Sequence, residues 1–298
     1  MAPLQMAPPV SPLPGRLEGC PAPAKLNLFL HITGQRADGY HLLQTVFRLL
    51  DWGDTLDFAV RSDGEIHRVN AVAGVPEETD LCVRAARALQ RASGCTLGAD
   101  ITVHKRLPLG GGLGGGSSDA ATTLMALDRL WNTRLGLARL LETGIELGAD
   151  VPFFLFGRDA FAEGIGEILQ PAALPPACYV VLAPGVSAQT ARIYASPDLT
   201  RNTPPIKVSE FTFDRTCNDL QPVACKLFPE ITDALSWLGQ YAPARMTGSG
   251  ACVFAPVDSF EHAAQIVGQC PARWQAWQAA SLARHPMHGL RSEDVNDF

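Results

Sequence analysis

Pro108-Leu109-Gly110-Gly111-Gly112-Leu113-Gly114-Gly115-Gly116-Ser117-Ser118-Asp119-Ala120-Ala121 places six glycines in seven consecutive positions, 110–116. Glycine loses more backbone entropy on folding than any other residue, so a simple connection is rarely built this way. Without side chains in the way, the backbone N–H groups can turn inward around an oxyanion. The helix that should follow, from about Ser117 to Trp131, adds its free N-terminal amides and the positive end of its dipole. The stretch is therefore expected to bind phosphate, with Ser117 and Ser118 able to donate to phosphate or to contact a Mg²⁺ ion. The plainer alternative is a surface loop with Ser117 as an ordinary N-cap. No lysine follows Gly116, which excludes the lysine-bearing phosphate loop of nucleoside triphosphatases. Gly110-x-Gly112-x-x-Gly115 meets the dinucleotide fingerprint literally. Arg106-Leu107-Pro108 separate it from its strand, however, and a turn and helix stand where a second strand should follow. Asp119 suits the start of a helix but would repel phosphate if it pointed inward, so it is expected to face away.

Outward from the loop the chain alternates strands and helices. Ala24–Ile32, Leu42–Leu50, Thr55–Val60 and Ala99–Lys105 read as strands. Thr79 or Asp80 can cap a helix running to Gly94, and Leu137–Leu147 reads as a helix stopped by Gly148. Strands are expected near Ala160–Leu169 and Tyr179–Ala183, and helices near Asn218–Phe228, Ile231–Tyr241 and Phe260–Gln269. Arg245–Thr247 and Cys252–Ala255 read as two strands around a Gly-rich turn. The class is α+β in two halves, with the seam near Gly157–Ala160. The expected division is a Pro-rich flexible arm at 1–19, a first domain at 20–158, a second at 159–284 and a polar tail at 285–298.

Composition narrows the function classes. The 298 residues are 47% hydrophobic and 18% charged, which excludes a wholly disordered chain. Net charge is −6, so the basic surplus that a general nucleic-acid binder uses to displace counterions is missing. No apolar run approaches the ~20 residues that span a bilayer, and the first twenty residues have no apolar core of a signal peptide. Leu17-Glu18-Gly19-Cys20 only faintly resembles a lipoprotein cleavage box. The eight cysteines form no Cys-x-x-Cys pair, which fits reduced, buried thiols and a cytoplasmic location. His285 and His288 have metal-compatible spacing, but no further ligand lies near them in the sequence. Neither a nucleic-acid nor a membrane partner is expected, and the chain should act as a monomer or weak homodimer.

Three motifs in order carry a family resemblance: Pro23-Ala24-Lys25-Leu26-Asn27-Leu28, the glycine stretch, and Thr247-Gly248-Ser249-Gly250-Ala251-Cys252. The chain resembles the GHMP kinases from about Pro21 to Ser281. Ile32–His41 and Leu147–Pro152 narrow the likeness to members whose acceptor alcohol is a methylerythritol unit carrying a cytidine diphosphate group. The resemblance implies two α+β domains with the active site in the cleft between them. It implies ATP, with Mg²⁺, as phosphoryl donor, bound by Pro108 to Ser118 in the glycine loop, and transfer to the 2-hydroxyl of the acceptor. Asp150 matches the catalytic base; on residue type alone it could equally cap a short helix. Lys25 matches the catalytic lysine, acting on the hydroxyl, on Asp150 or on a phosphate oxygen, where sequence alone would favour a lysine snorkelling at a strand end. Asn27 is implied to contact the erythritol end. Tyr40 and His41 should face the cytosine, with Tyr194 closing the stack from the other half. Thr247, Gly248, Ser249 and Gly250 should support the phosphate loop, and Ser117 or Ser118 is the candidate metal ligand.

Overall fold

The computed structural model describes residue 6 and residues 14–290. The order is β1 (Arg16–Gln35), β2 (His41–Arg61), β3 (Ile66–Arg68), α1 (Leu81–Ser93), β4 (Gly98–His104), α2 (Gly115–Leu130), α3 (Gly136–Ile145), α4 (Val151–Phe156), β5 (Ala160–Glu163), β6 (Ile168–Pro171) and β7 (Cys178–Ala183). Then follow α5 (Thr190–Tyr194), α6 (Gln221–Leu227), α7 (Pro229–Leu238), β8 (Arg245–Met246), β9 (Val253–Val257), α8 (Phe260–Gly268) and β10 (Gln275–Ala280).

Two sheets form. In the first, β2 pairs antiparallel with β1 along most of its length, and also takes β5 near Val46 and β4 near Phe58. β3 and β6 lie outside β4 and β5. The second sheet runs β10-β7-β9-β8. Strand alternation explains how they stack, because successive side chains leave opposite faces. On β2, Phe47, Leu49, Leu56 and Phe58 join α1, α2 and α4 in one core, while Val46, Leu50 and Trp52 face the other way. On β7, Tyr179, Val181 and Ala183 meet that opposite face, while Val180 and Leu182 pack with α6, α7 and α8. The layers are therefore helices, sheet, sheet, helices. At the central seam the Trp52 and Trp277 rings stack with centroids 4.6 Å apart.

Several expected boundaries shift. Leu42–Leu50 and Thr55–Val60 are one strand, because after a bulge at Leu50–Trp52 the residues Gly53–Thr55 rejoin the ladder opposite Pro21–Pro23 of β1. The arm is shorter than 1–19: Arg16 opens β1, and Leu17 is 2% exposed in the first core. Residues 1–5 and 7–13 of that arm, and 291–298 of the tail, lie outside the described residues. The first sheet runs past the seam at 158/159, since β5 and β6 attach to β2 and the chain reaches the second sheet only at Cys178. Nor does the polar tail begin at 285. Pro286–Leu290 forms a 3-10 turn in which Met287 is 1% exposed, so the chain returns to the first core. Asp119 is buried near the start of α2, with its carboxylate turned to Lys105.

The halves are tied near the motifs by Arg245 of β8. Its guanidinium donates to the carbonyls of Leu28, Phe213 and Thr216 and lies over the Phe213 ring, 3.9 Å from its centroid. Burial pulls this group down to about 10, so its carbonyl partners are what keep the buried charge tolerable. We expect Arg245→Met to leave three carbonyls short of a donor and to lower the unfolding free energy by about 2–4 kcal/mol. Chemical denaturation checks this, and a midpoint unchanged from wild type would show the tie to be dispensable.

Candidate functional site

The loop of six glycines is held by its carbonyls. Leu113, 1% exposed, plugs into the core between the sheets, and its carbonyl accepts the Lys25 N–H at 3.0 Å. The Gly111 carbonyl accepts from the Cys252 N–H at 3.1 Å, and the Gly112 carbonyl from the Thr247 hydroxyl at 3.4 Å. Gly112 has φ +76° and no room for a Cβ, which would stand 2.3 Å from the Thr247 carbonyl. Backbone this close admits only glycine. Helix α2 starts at Gly115 without a side-chain cap. Its first hydrogen bond runs from the Ser118 N–H to the Gly114 carbonyl. The N–H groups of Gly115, Gly116 and Ser117 precede that bond and have no helical acceptor, which is the geometry of an anion cradle.

Beneath the cradle lies a cluster that the sequence does not advertise. Lys105 Nζ is 2.5 Å from Asp54 Oδ2 and 2.8 Å from Asp119 Oδ2. Asp54 Oδ1 accepts the N–H groups of Arg106 and Leu107. The lysine thus joins the entry of the loop to its exit. Burial pushes the Asp119 carboxyl up, against the pull of Lys105. Leu109 and Gly110 are exposed and Pro108 is half-buried on the outer side. There a cavity of about 450 Å³ is lined by Pro108, Leu109, Ser187, Arg273 and Trp274; Lys25 and Asp150 do not line it.

The two serines part company. Ser118 is fully buried, and its hydroxyl donates to the Pro23 carbonyl at 2.7 Å, pinning α2 to β1. This corrects its expected place as a phosphate or metal contact. Ser117 stays half-buried, on the side of Gly148.

Lys25 and Asn27 leave β1 on the face opposite Ala24, Leu26 and Leu28, toward α4. Lys25 Nζ is 3.3 Å from Asp150 Oδ2 and 2.5 Å from Asn27 Oδ1, and lies over the Phe47 ring at 5.3 Å. The Lys25 side chain is 4% exposed and that of Asp150 32%, so the pair opens to solvent on the aspartate side. Asp150 occupies the N-cap position of α4, yet its side chain makes no capping bond. The carboxylate goes to Lys25 instead, and the simple helix-cap alternative falls away. Asn27 is only 3% exposed, with Nδ2 donating to Thr45 Oγ1 at 3.0 Å and Oδ1 accepting from Lys25. Expected at the acceptor, it is engaged at both ends within the protein and orients the lysine.

Thr247, Gly248, Ser249 and Gly250 close the other side. The Thr247 hydroxyl accepts the Asn27 N–H at 2.9 Å while reaching Gly112. Ser249 Oγ lies 2.7 Å from Thr190 Oγ1. Asn218, another residue with no distinctive sequence signal, donates from Nδ2 to the Met246 and Gly248 carbonyls, both at 2.8 Å.

His41 and Tyr194 come together from the two halves, ring centroids 4.9 Å apart. Arg201 Nε–H donates to His41 Nε2 at 3.1 Å, and its NH2 group donates to the Tyr194 carbonyl at 2.8 Å. Burial and the guanidinium hold His41 below the ordinary imidazole range. Burial, with the Asp150 charge, pushes the Tyr194 phenol up to about 12. Tyr40 stands on the neighbouring turn, 61% exposed.

Among the described residues no cluster of His, Cys, Asp and Glu is arranged to hold a metal ion; His288 lies in the packed 3-10 turn and His285 just before it. All eight cysteines are free. No helix among the described residues is long and apolar enough to cross a membrane.

The chain is similar to known proteins along most of its length. The model for the GHMP kinases N terminal domain matches residues 80–158, and that for GHMP kinases C terminal matches residues 207–276. A 4-diphosphocytidyl-2-C-methyl-D-erythritol kinase of Azoarcus sp. (strain BH72) is 66% identical over 276 residues, covering 93% of this chain and 98% of that protein. One of the same name from Aromatoleum aromaticum is 62% identical, covering 92% of this chain and 96% of its own. A crystal structure of 4-(cytidine 5'-diphospho)-2C-methyl-D-erythritol kinase superposes with a TM-score of 0.76 at 34% identity, over 89% of this chain and 98% of that one. Homoserine kinase from Cytophaga hutchinsonii shares the fold, with a TM-score of 0.67 at 16% identity over 88% and 93% of the two chains. With its glycine cradle, its lysine–aspartate pair and both halves matched, the chain belongs to the GHMP kinase family.

Proposed function

We propose that this chain transfers the γ-phosphoryl group of ATP to the 2-hydroxyl of 4-diphosphocytidyl-2-C-methyl-D-erythritol, a step toward isoprenoid precursors by the non-mevalonate route. The observation that carries the reading is the contact of Lys25 and Asp150 at 3.3 Å, with the Lys25 backbone bonded into the glycine loop. Relatives of that name at up to 66% identity support the choice of acceptor.

Phosphoryl transfer needs alignment and charge stabilisation more than covalent work by the protein. The free amides of Gly115, Gly116 and Ser117 hold phosphate oxygens. The acceptor oxygen attacks the γ-phosphorus, its proton passes to Asp150, and ADP departs with the electrons of the broken P–O bond. Lys25 offers positive charge to the oxygen as that proton leaves. Asn27 and Phe47 keep the ammonium in place, so their contribution is orientation. Tyr40, His41 and Tyr194 form the aromatic wall for the cytosine; stacking on such faces is worth about 1–3 kcal/mol per base in nucleic-acid complexes.

The donor set suits a magnesium ion carried in with ATP, since the half-buried Ser117 hydroxyl borders the cradle and phosphates and waters complete a shell of oxygen ligands. An ion held there would supply positive charge to offset that of the phosphates. Every residue of the site comes from one chain, so a monomer or a weak homodimer serves equally well. Free thiols fit work in the reducing cytoplasm.

Purified protein should phosphorylate the cytidylyl substrate and leave homoserine and mevalonate untouched; equal turnover of the three would remove the acceptor assignment. Asp150→Asn should keep ATP affinity and lose about 10²–10⁴-fold in kcat, and wild-type turnover in that variant would take the base away from Asp150. Gly114→Val should weaken ATP binding, because a Cβ there, at φ +73°, would lie 2.8 Å from the Phe154 ring and 3.1 Å from Lys25 Cγ. Normal ATP affinity would sink the cradle assignment. Ser118→Ala should lower the melting temperature without changing the magnesium dependence, whereas Ser117→Ala should raise the magnesium concentration needed for half-maximal rate. The opposite pattern would return the metal to Ser118.

A further inference from the structure

The end of the chain grips the helix that presents the base. The Leu282 N–H donates to the Leu49 carbonyl at 2.9 Å and the His285 N–H to the Gly157 carbonyl at 2.7 Å. His288 Nε2 lies 2.8 Å from the Leu155 carbonyl, so the ring N–H sits on Nε2 and donates. His285 Nδ1 accepts the Met287 N–H at 3.2 Å, which shapes the turn so that Met287 enters the core. Gly157 ends α4 in the left-handed region at φ +73°, and a Cβ there would stand 2.3 Å from His288 Nε2. The imidazole thus fills the space that glycine leaves.

α4 has six residues, far fewer than the roughly 12–15 an isolated helix needs to persist in water. Its last carbonyls have no partner inside the helix. His285 and His288 supply donors for that end. At the opposite end stands Asp150, whose carboxylate turns to Lys25 and contributes no cap. Midway, Phe154 packs beside Gly114 of the glycine loop. One short helix therefore touches the base, the phosphate cradle and the C-terminal segment.

We propose that His288 is a positioning residue for phosphoryl transfer: it locks the C-terminal end of α4, which sets where Asp150 meets Lys25. This rests on Asp150 acting as the base. The imidazole bonds to the Leu155 carbonyl, at the end of α4 away from Asp150, so its effect is transmitted through the helix.

The test compares His288→Ala with His288→Gln, a variant that keeps an N–H donor at similar reach. His288→Ala should lose about 10²-fold in kcat, the scale of a 1 Å misplacement, with the KM for the cytidylyl substrate unchanged because His41 and Tyr194 lie on other elements. His288→Gln should recover most of the rate. In an Asp150→Asn background His288→Ala should cause no further loss, and full additivity of the two losses would overturn the proposal. Gly157→Ala, which approaches the same contact from the helix side, should reproduce the loss. Hydrogen exchange gives a readout independent of substrate: His288→Ala should speed exchange across residues 151–157 while the second sheet stays protected. Unchanged exchange there overturns the proposal whatever the acceptor is, whereas an inactive wild type with normal exchange would fault the kinase reading alone. Should His288→Ala fail to fold, His288→Gln and His288→Asn are compared, since asparagine is too short to reach Leu155; equal kcat in those two would also overturn it.

Discussion

Everything in the site depends on how Lys25 is held. Its backbone N–H goes to the Leu113 carbonyl in the glycine loop, and its ammonium lies between Asn27 and Asp150. Three separate parts of the chain, β1, the loop before α2 and the start of α4, thus meet on one residue. A buried ammonium is tolerated only when its charge is paired and its donors are used. That requirement fixes Asp150 as much as the reverse. The same logic recurs under the loop, where Lys105 between Asp54 and Asp119 draws the two flanks of a glycine-rich segment together. The entropy that six glycines would otherwise retain is removed by carbonyl contacts and by this second lysine.

Much of this was legible in the amino-acid sequence because the informative residues are chemically unusual in their setting. The run of glycines demands explanation on its own, whereas Lys25 and Asp150 stand out through the family resemblance, since residue type alone allows a snorkelling lysine and a helix cap. The partners that hold them do not stand out. Asn218, Arg201, Thr45 and Asp54 are ordinary polar residues whose contacts cross 18 to 160 positions, as in Thr45 with Asn27 and Arg201 with His41. Ser117 and Ser118 look equivalent in the sequence, and only the helical turn separates them by aiming one hydroxyl at Pro23.

The fold shows the same division. Val151-Pro152-Phe153-Phe154-Leu155-Phe156 is continuously apolar, so it carries no helical period, and the short helix that Asp150 hints at gets its length only from the packed molecule. Gln275–Ala280 is short and alanine-rich, with weak strand preference, and it becomes an edge strand because β7 offers a free ladder. Asp51–Asp54 reads as a break between strands but continues β2, since pairing with β1 overrides the local turn signal. His285 and His288 look like tail residues because polarity suggests exposure, yet both are buried, with His285 Nδ1 accepting the Met287 N–H and His288 Nε2 on the Leu155 carbonyl.

The layered arrangement has a consequence for how the molecule can move. β1 contributes Leu17, Cys20 and Ala22 to the first core, Ala24, Leu26 and Leu28 to the seam, and Leu30 and Ile32 to the second core. A single strand therefore threads all three apolar layers, and the chain crosses back into the first half at its end. Two halves stitched in this way have no bare linker about which to swing. Neither half is a separable module, so a cut placed between the family's two domains would sever a shared strand's neighbours on both sides.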